Sequence, residues 1–600
     1  MYSDVERRVS RLVGRAADTA DTAAAHDGER EAERAGGAPL DRPVLGRIGA
    51  GAAGSSTASG TETSELRAIL AGRRIGLEKE SLRVRPSGAL SQLDHPEALG
   101  AALTNPSITT DFSEALLEMV TPPCASSSEA LEHLAAIHRF ILSRLPEGEH
   151  LWNTSMPCIL HGEEAIRIGE YGSSHLGRMK HVYRRGLGAR YGRRMQAIAG
   201  IHFNFSLPDE AWWAWQELHG SGGAASDGIA LDDPLARLRT AGSFSMMRNL
   251  MRVGWLVPYL FGASPAICQS FLAPGEGGEL ATLNDSTRYA PYGTSLRMGN
   301  IGYRYRDDQP IDLSVRHTRF DRYVADIVGH VTTVHPPYEA LGVRDADGRY
   351  RQLNACRLQI ENEFYSSVRP KQIPERGEMP ILALERRGIR YLELRSVDVS
   401  IEHPHGIDAE SCAALELLML FAWLGDDRAL EAAEMADISH NVRTVAHRGR
   451  EPGLVLRGPR GEISLADWGR AVVDALEPLA AALDAGDPEA GYAQALAAQR
   501  AKLEDTSRTP SARILEGVRS TGSYFEHTMR RSREQHAEIL ARTPDAALEA
   551  QLAAEVAGSI ETRALYEARD RGSFEEFLAD YFAQLPPRDT PTPTAERAPA

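Results

Sequence analysis

Apolar and polar positions alternate in the first two thirds of the chain and then change to a helical period. Between about residues 66 and 400, short runs with the two-residue repeat of a half-buried strand are separated by helical segments. The strand-like runs are 76–84, 198–207, 356–365 and 389–398, and the helix-like runs are 128–146, 176–192 and 242–260. Beyond about residue 408, helical spacing continues through 409–424, 464–484, 488–504, 523–541 and 545–570. Strands followed by a run of helices predict an α+β fold.

The two ends of the chain lack this periodicity. Residues 1–62 are rich in Ala, Gly, Ser, Thr and Glu and give almost no core-forming pattern, so we expect a disordered extension. Residues 586–600 are rich in Pro and Thr and predict a disordered tail. Between them we expect a catalytic α+β region over 63–405 and a helical region over 406–585. A GxGxxG spelling at Gly49–Gly54 precedes a Ser/Thr/Gly-rich stretch instead of a helix, so it does not indicate a dinucleotide site.

Two of the predicted strands carry charge on one face. Glu78 and Glu80 alternate with other residues in GLEKESLRV, and Glu393 and Arg395 share one face of YLELRS while leucines take the other. Alternating charge is most often an exposed strand face. Carboxylates held together are also the ligands of hard cations such as Mg²⁺, which bridges them to substrate phosphates. We expect Glu393 to bind metal and Arg395 to bind phosphate, without a salt bridge between the two side chains.

The segment TTDFSEALLE has a different spacing. Asp111, Glu114 and Glu118 lie at i, i+3 and i+7, which predicts one face of a helix with Asp111 as its N-cap and Glu114 as the capping-box partner. A cap does not explain Glu118, so Asp111 and Glu118 are candidate metal or substrate ligands. Of Glu361 and Glu363 in the predicted strand 356–365, we expect one to contact metal or substrate.

The segment from Arg178 to Arg194 contains seven basic residues and no acidic one. It is either a solvated helix face or, if its glycines interrupt the helix, a place where backbone N–H groups approach an anion. No GxxxxGK[ST] string exists, so P-loop chemistry is excluded. Arg297 is a candidate for pairing an α-carboxylate through two parallel N–H bonds. His202, on an apolar strand, is by default a satisfied core histidine.

Composition narrows the class of protein. The net charge of −16 argues against general binding to nucleic acid or an anionic membrane. No apolar run is long enough to cross a bilayer, and the N-terminus has no apolar signal region, so we expect a cytoplasmic protein. The 5 cysteines are far apart without a CxxC pair, and we expect them to be reduced core residues.

Long strings of the chain resemble the proteobacterial type of glutamate–cysteine ligase, from about Leu66 to about Ser520. They are GLEKESLRV, TTDFSEALLE, YRRGLGARYGRRMQAIAGIHFNFSLP, GWLVPYLFGASPAIC, TSLRMGNIGY, LQIENEFY and YLELRSVDV. The resemblance implies a glutamine synthetase-like antiparallel sheet curled around the active site. It also implies an enzyme that makes γ-glutamylcysteine from ATP, L-glutamate and L-cysteine, with Mg²⁺ or Mn²⁺, through γ-glutamyl phosphate.

The resemblance also implies roles for individual residues. Glu393 and Arg395 would be catalytic, and His202 with Arg395 would contact phosphate. The metal ligands would be Glu78, Glu80, Asp111, Glu118 and Glu393. The substrate-binding residues would be Phe112, Tyr183, Arg184, Leu187, Gln196, Arg297, Tyr303 and Tyr365. We expect a monomer that acts on small molecules only.

Two alternatives stay open at this point. A related ligase would join glutamate to a different amine on the same scaffold. A non-catalytic binding protein would require loss of the metal-site carboxylates, and all of the matching ones are present.

Overall fold

A computed structural model describes residues 8, 66, 68–220, 228–302, 313–485, 487 and 490–585. Apart from Arg8, the two ends predicted to be disordered therefore lie outside the described residues. Tyr303 also lies outside them. The Arg8 guanidinium donates a hydrogen bond of 2.6 Å to the carbonyl of Leu424 and lies 3.3 Å from Asp426.

Twelve strands lie within the described residues. They are β1 (Arg74–Val84), β2 (Ile108–Thr110), β3 (Leu116–Val120), β4 (His150–Trp152), β5 (Gly200–Ser206), β6 (Ala266–Cys268), β7 (Ala281–Asn284), β8 (Thr287–Tyr289), β9 (Val368–Lys371), β10 (Tyr391–Asp398), β11 (Val455–Gly458) and β12 (Gly461–Ser464). Seven form one antiparallel sheet in the order β2-β3-β1-β5-β10-β9, with β4 paired to the last residues of β1. The smaller sheets are β6-β8-β7 and the hairpin β11-β12.

Helices surround the sheet and make up most of the chain after it. The sheet region contains α1 (Ser127–Leu142), α2 (His175–Tyr191), α3 (Asp209–His219), α4 (Pro234–Arg252), α5 (Leu256–Leu260), α6 (Phe320–Thr332), α7 (Pro336–Leu341) and α8 (Pro380–Arg387). The C-terminal region contains α9 (Ala409–Leu424), α10 (Ala432–Arg448), α11 (Leu465–Asp484), α12 (Tyr492–Glu504), α13 (Pro510–Thr521), α14 (Tyr524–Ala541), α15 (Ala546–Arg569) and α16 (Phe574–Phe582). The predicted α+β architecture with a helical C-terminal part is confirmed. None of the helices in the described ranges combines the length and apolar character needed to cross a membrane.

Two of the runs predicted from periodicity differ from the structure. The run 356–365 is not a strand; it is irregular chain with a short 3₁₀ turn at Glu361–Glu363, because its polar groups bond locally and to α2 instead of to a neighbouring strand. The single helix predicted over 242–260 is two helices, α4 and α5, separated at Gly254, where the chain lacks a helix-forming side chain.

The back face of the central sheet holds a cluster of buried bases. Lys79 points away from its neighbours Glu78 and Glu80, because successive side chains of a strand alternate between faces. Its Nζ donates 2.7 Å to the hydroxyl of Ser81. Around it lie His138 of α1, His405 and His536 of α14; the Nδ1 atoms of His138 and His405 are 3.4 Å apart.

The cysteine prediction is wrong for one pair. Cys158 and Cys268, separated by 110 residues, form a disulfide, whereas Cys124, Cys356 and Cys412 are free. Sequence spacing carries no information on this pair, because folding brings β6 against the segment after β4.

Candidate active site

Antiparallel pairing places the carboxylates of three strands on one face of the sheet. In the register, Glu80 of β1 lies opposite Glu118 of β3, and Glu78 lies opposite His202 of β5. Glu393 of β10 joins them from the other side of β5. Although these residues are far apart in sequence, the sheet brings them together on one face.

His202 lies at the centre of this cluster. Its Nδ1 is 2.8 Å from Glu78 Oε2 and 3.5 Å from Glu393 Oε1, and its Nε2 is 3.8 Å from Glu80 Oε1. Two triads, Glu78–His202–Glu393 and Glu80–Glu118–His202, each offer ligand atoms within 4.8 Å of one another. Burial and the nearby Arg395 lower the pKa of His202, so the ring is neutral at pH 7. A neutral imidazole has a nitrogen lone pair that can bind a metal ion.

The electrostatics of the acidic residues favour a bound cation. Burial raises the pKa of Glu118 to about 8, and the carboxylates of Glu78 and Asp111 add to the shift. Burial also raises the pKa of Glu80 well above its usual value, with further contributions from Asp111 and Glu118. Buried oxygens that repel one another fit a hard divalent ion, which removes the repulsion and prefers carboxylate ligands.

The segment around Asp111 is not a helix. β2 and β3 form a hairpin in which Thr109 pairs with Glu118, and Asp111 lies in the turn between them with its N–H bonded to the carbonyl of Leu116. The β-branched run before Asp111 favours extended backbone, and pairing with β3 satisfies it. Glu114 is therefore not a capping residue. Its two oxygens accept the N–H groups of His95 and Glu170, each at 2.7 Å.

The basic side of the site comes from the last two strands. Arg395 Nη1 lies 3.0 Å from Glu393 Oε1, so the expectation that these side chains form no salt bridge is wrong. The reason is the shape of β10. Leu394 pairs with Phe203 and Val397 with Ile201, which leaves two residues of β10 opposite one residue of β5, and such a bulge re-aims the side chains next to it.

Two basic residues of β9 were not among the predicted site residues. Arg369 lies opposite Glu393 in the register, and Lys371 lies opposite Tyr391, with its Nζ 3.4 Å from Glu393 Oε2. Although burial opposes its ionisation, Arg395 and Lys371 hold the pKa of Glu393 well below its usual value. The alternation Arg369-Pro370-Lys371 was the available signal, because it places both bases on one strand face.

Several predicted substrate-binding residues lie beside this basic side. Gln196 Nε2 donates 3.1 Å to the hydroxyl of Tyr365, and the ionisation of Tyr365 is influenced by both Asp111 and Arg395. Tyr183, which is on α2, lies near Tyr365.

The remaining predicted members flank the turn of β2 and β3. Arg184 donates to the carbonyl of Asp111 and lies over the ring of Tyr171. Phe112 packs against α2 at Gly188, and Leu187 is buried in the same core.

The glycines of the basic segment do not interrupt α2, contrary to one of the two interpretations of its sequence. It runs from His175 to Tyr191 without interruption and ends at Gly192. Gly186 serves close packing, because a Cβ there would lie 2.1 Å from Gln359 Oε1. Most basic residues of this segment are in ion pairs or ring contacts with residues that do not belong to the carboxylate cluster around His202. Lys180 and Arg184 are the two that influence Glu118.

Glu361 and Glu363 do not join the cluster. Glu363 is paired with Arg190 at 2.9 Å and accepts the hydroxyl of Tyr191 at 2.7 Å. Glu361 accepts the N–H of Ile381 at 3.1 Å. These contacts hold the 3₁₀ turn against α2 and α8. Glu361 is also influenced by Arg369 and Lys371, so the expectation that one of the two contacts metal or substrate stays a prediction.

Arg297 lies under the bulge of β10. It is 2% exposed, and its Nη2 donates 2.6 Å to the carbonyl of Arg395. Its Nη1 is 3.7 Å from Asp398 Oδ1. It also contributes to the electrostatics of Glu80, which places it at the edge of the carboxylate cluster.

A family model for glutamate–cysteine ligase matches residues 61–445. The chain belongs to the glutamate–cysteine ligase family. Among its relatives, the ligase of Alcanivorax borkumensis is 42% identical over 520 residues, covering 86% of this chain and 96% of that protein. The ligase of Azotobacter vinelandii is 42% identical over 511 residues, covering 85% and 94%.

Solved structures of this family and its neighbours have the same fold. The crystal structure of the ligase from Francisella tularensis in complex with AMP has a TM-score of 0.78 at 33% identity, covering 85% of this chain and 98% of that one. A bifunctional glutathione synthetase from Pasteurella multocida gives a TM-score of 0.62 at 24% identity over 80% of this chain and 55% of that chain, which shows a shared fold alone. The resemblance drawn from the sequence strings is confirmed.

Proposed function

We propose that this chain joins the γ-carboxylate of L-glutamate to the amine of L-cysteine in an ATP-dependent reaction, the first step of glutathione synthesis. The observation that carries the proposal is the sheet face on which buried carboxylates and a neutral histidine meet Arg395 and Lys371, in a member of the glutamate–cysteine ligase family. Phosphoryl transfer needs this combination, since its catalysis is mostly positioning and neutralisation of charge.

The reaction has two steps. An oxygen of the glutamate γ-carboxylate attacks the γ-phosphorus of ATP, the bond to ADP breaks, and γ-glutamyl phosphate forms. The cysteine nitrogen then attacks the acyl carbon, phosphate leaves, and the nitrogen loses a proton. Arg395, Lys371 and Arg369 line the basic side and would bind the transferring phosphoryl group. The buried walls around them would keep water from the acyl phosphate.

Glu78, Glu80, Asp111, Glu118 and Glu393, with His202, would hold Mg²⁺, or Mn²⁺ in its place. When bound, the ion neutralises phosphate charge and polarises the oxygens that it contacts. The carboxylates fit such an ion because their oxygens are the donors that it prefers. Burial and mutual repulsion raise the pKa of Glu80 and Glu118, and a bound cation would relieve that repulsion.

The amino-acid substrates would lie next to the basic side. We assign the cysteine-binding pocket to Tyr183, Leu187, Gln196, Tyr365 and Phe112, with Tyr303 as a further member. Arg184 and Arg297 would contact carboxylates at its ends. The structural support is the hydrogen bond between Gln196 and Tyr365 and the nearness of Tyr183, Asp111 and Arg395 to the Tyr365 hydroxyl; Tyr303 lies outside the described residues and is supported by the family strings alone.

An ADP-release assay tests the proposal. The purified full chain is given ATP, Mg²⁺ and glutamate, with and without cysteine, and γ-glutamylcysteine is measured by mass spectrometry. We expect ADP release that depends on cysteine and matches dipeptide formation one to one. A faster rate with another amine at equal concentration would identify the related ligase instead, and amine-independent ADP release would contradict both.

Monomeric state and cytoplasmic location complete the proposal. Light scattering of the purified chain and fractionation of the source cells test these two expectations.

A further inference from the structure

Asp398 makes contacts that exceed those of an ordinary strand end. It closes β10 opposite Gly200 and is 1% exposed. Its Oδ2 accepts the N–H of Ala263 at 2.8 Å and the hydroxyl of Ser264 at 2.6 Å. Its Oδ1 accepts the hydroxyl of Ser295 at 3.0 Å. A carboxylate with three donors from two loops is held in one orientation.

The oxygen that Ser295 contacts also faces Arg297. The distance from Asp398 Oδ1 to Arg297 Nη1 is 3.7 Å, and neither side chain is more than 3% exposed. Burial raises the pKa of Asp398, and Arg297 opposes that shift, so the guanidinium favours the charged carboxylate. Asp398 is thus an ion-pair partner of Arg297.

The other edge of Arg297 is fixed by the β10 bulge. Its Nη2 donates to the carbonyl of Arg395, which the bulge turns away from β5. Gly200 gives the guanidinium room, because a Cβ there would lie 2.1 Å from Arg297 Nη2. The N–H of Gly200 donates 2.6 Å to Glu80 Oε2, so the guanidinium rests on a backbone unit that also binds the carboxylate cluster.

We infer that Asp398 is a positioning residue of the ligase: it orients Arg297 so that this guanidinium holds the Arg395 bulge and presents its charge to an amino-acid carboxylate. The inference rests on the proposed role of Arg297 in the ligase reaction. Asp398 itself does not touch the reacting atoms. Its effect reaches substrate through Arg297 alone.

Asp398→Asn tests this with little change of shape. The amide oxygen can still accept from Ala263 and Ser264, and the hydroxyl of Ser295 can turn to accept from the amide nitrogen. The oxygen that faces both Ser295 and Arg297 becomes an amide NH₂ group, so Arg297 loses an acceptor and the opposite charge. We expect the KM of one amino-acid substrate to rise at least about tenfold, the KM of ATP to stay within about twofold, and the melting temperature to remain near that of the parent. These values follow from loss of one charge-assisted contact.

Ser295→Ala is the matched control. It removes a hydrogen bond to the same Asp398 oxygen, together with the contact between the Ser295 hydroxyl and the N–H of Met298, and it leaves both charges in place. We expect it to change the KM of the amino acid by less than about threefold. An equal effect of the two substitutions would overturn the inference, because it would show that local packing is what matters.

A double-mutant cycle with Arg297→Lys separates this inference from the proposed function. We expect Asp398→Asn to add little in the Arg297→Lys background, because the two residues act as one unit. Fully additive effects would overturn the inference. If Arg297→Lys raises the KM of an amino acid and Asp398→Asn does not, the inference is wrong while the proposed function stands. If the parent chain shows no cysteine-dependent ADP release, the proposed function fails first.

Discussion

The guanidinium of Arg395 and the carboxylate of Glu393, two positions apart on β10, lie 3.0 Å from each other. Lys371 approaches the second oxygen of the same carboxylate at 3.4 Å. Glu393 therefore ionises readily without a metal, whereas Glu80 and Glu118 do not. One acidic cluster thus contains carboxylates with opposite electrostatic surroundings, and substitutions should separate them.

Glu393→Gln should lower activity by at least about a hundredfold, the upper end of what lost metal-site groups cost. The substitution also leaves Arg395 and Lys371 without the counter-charge that they share. We therefore expect a lower melting temperature in EDTA, because breaking a buried ion pair is destabilising. Circular dichroism melts and the ADP-release assay check both effects. An unchanged rate would remove Glu393 from the active site.

Glu118→Gln should lower activity comparably but change stability in the opposite direction. The folded pKa of Glu118 is about 8, above its usual value, because of burial and then its acidic neighbours. A raised carboxyl pKa stabilises the fold at low pH, and this contribution is lost as pH rises through about 8. In EDTA, the parent should lose stability between about pH 4.5 and pH 8, and the variant should lose less. Identical pH profiles of stability would show that the pKa of Glu118 is not raised in the folded protein.

Arg297→Lys keeps the charge and loses the two-pronged geometry of the guanidinium. Binding of one amino acid, cysteine in our assignment, should weaken by roughly 1.5–3 kcal/mol. The KM of ATP should change little. Steady-state kinetics with each of the three substrates varied in turn are the measurement. Equal weakening of all three would mean that Arg297 supports the fold through Arg395 and has no substrate of its own.

The buried bases behind β1 should make the protein sensitive to acid. Burial lowers the pKa of His405 to about 4, and Lys79 and Arg542 add to this shift. Burial lowers the pKa of His536 to about 3, and His150 and Lys79 add to that shift. These rings are neutral in the fold but take a proton in the unfolded chain below about pH 6.5. Stability is therefore complete above that pH and falls between about pH 6.5 and pH 4, by about 1.4 kcal/mol per histidine for each pH unit. His405→Gln with His536→Gln should flatten this slope in urea titrations at pH 7 and pH 5.5; an unchanged slope would assign the acid sensitivity elsewhere.

Deleting residues 1–62 should leave turnover within a few-fold of the full chain, because their composition builds no packed core. The described contact of Arg8 with Leu424 and Asp426 is on the helical region and away from the carboxylate cluster. Arg8→Ala is the control, and it should reproduce any small loss of stability in the truncated protein. Complete loss of turnover with an intact circular dichroism spectrum would show that the extension shapes the site.

The sequence predicted the site best where the charged residues that share a face belong to the same strand. Alternation was enough to place Glu78 with Glu80 on one face of β1 and Glu393 with Arg395 on one face of β10, and the family strings assigned these faces to the site. The family strings added His202 and the tyrosines, whose polar groups do not reveal a partner by spacing. The helix around Asp111 failed because the spacing i, i+3, i+7 is also met by a tight hairpin, and only pairing with a distant segment decides between them.

Contacts made across the sheet were not available from local pattern. Lys371 and Arg369 became site residues only when the register of β9 with β10 was known. The Glu393–Arg395 pair depends on a bulge in the pairing of β10 with β5, which the local pattern of β10 does not reveal. The same holds for the Cys158–Cys268 disulfide.

The order of strands in the sheet also has a consequence for synthesis of the chain. β5 ends at Ser206 and pairs with β1 early, but its other edge waits for β10, which begins at Tyr391. At ribosomal speeds of about 5–20 residues per second, that edge stays open for roughly 10–40 seconds. An open strand edge invites pairing with other chains. The nascent chain thus passes through an aggregation-prone interval that ends when β10 inserts, and the same insertion completes the acidic cluster.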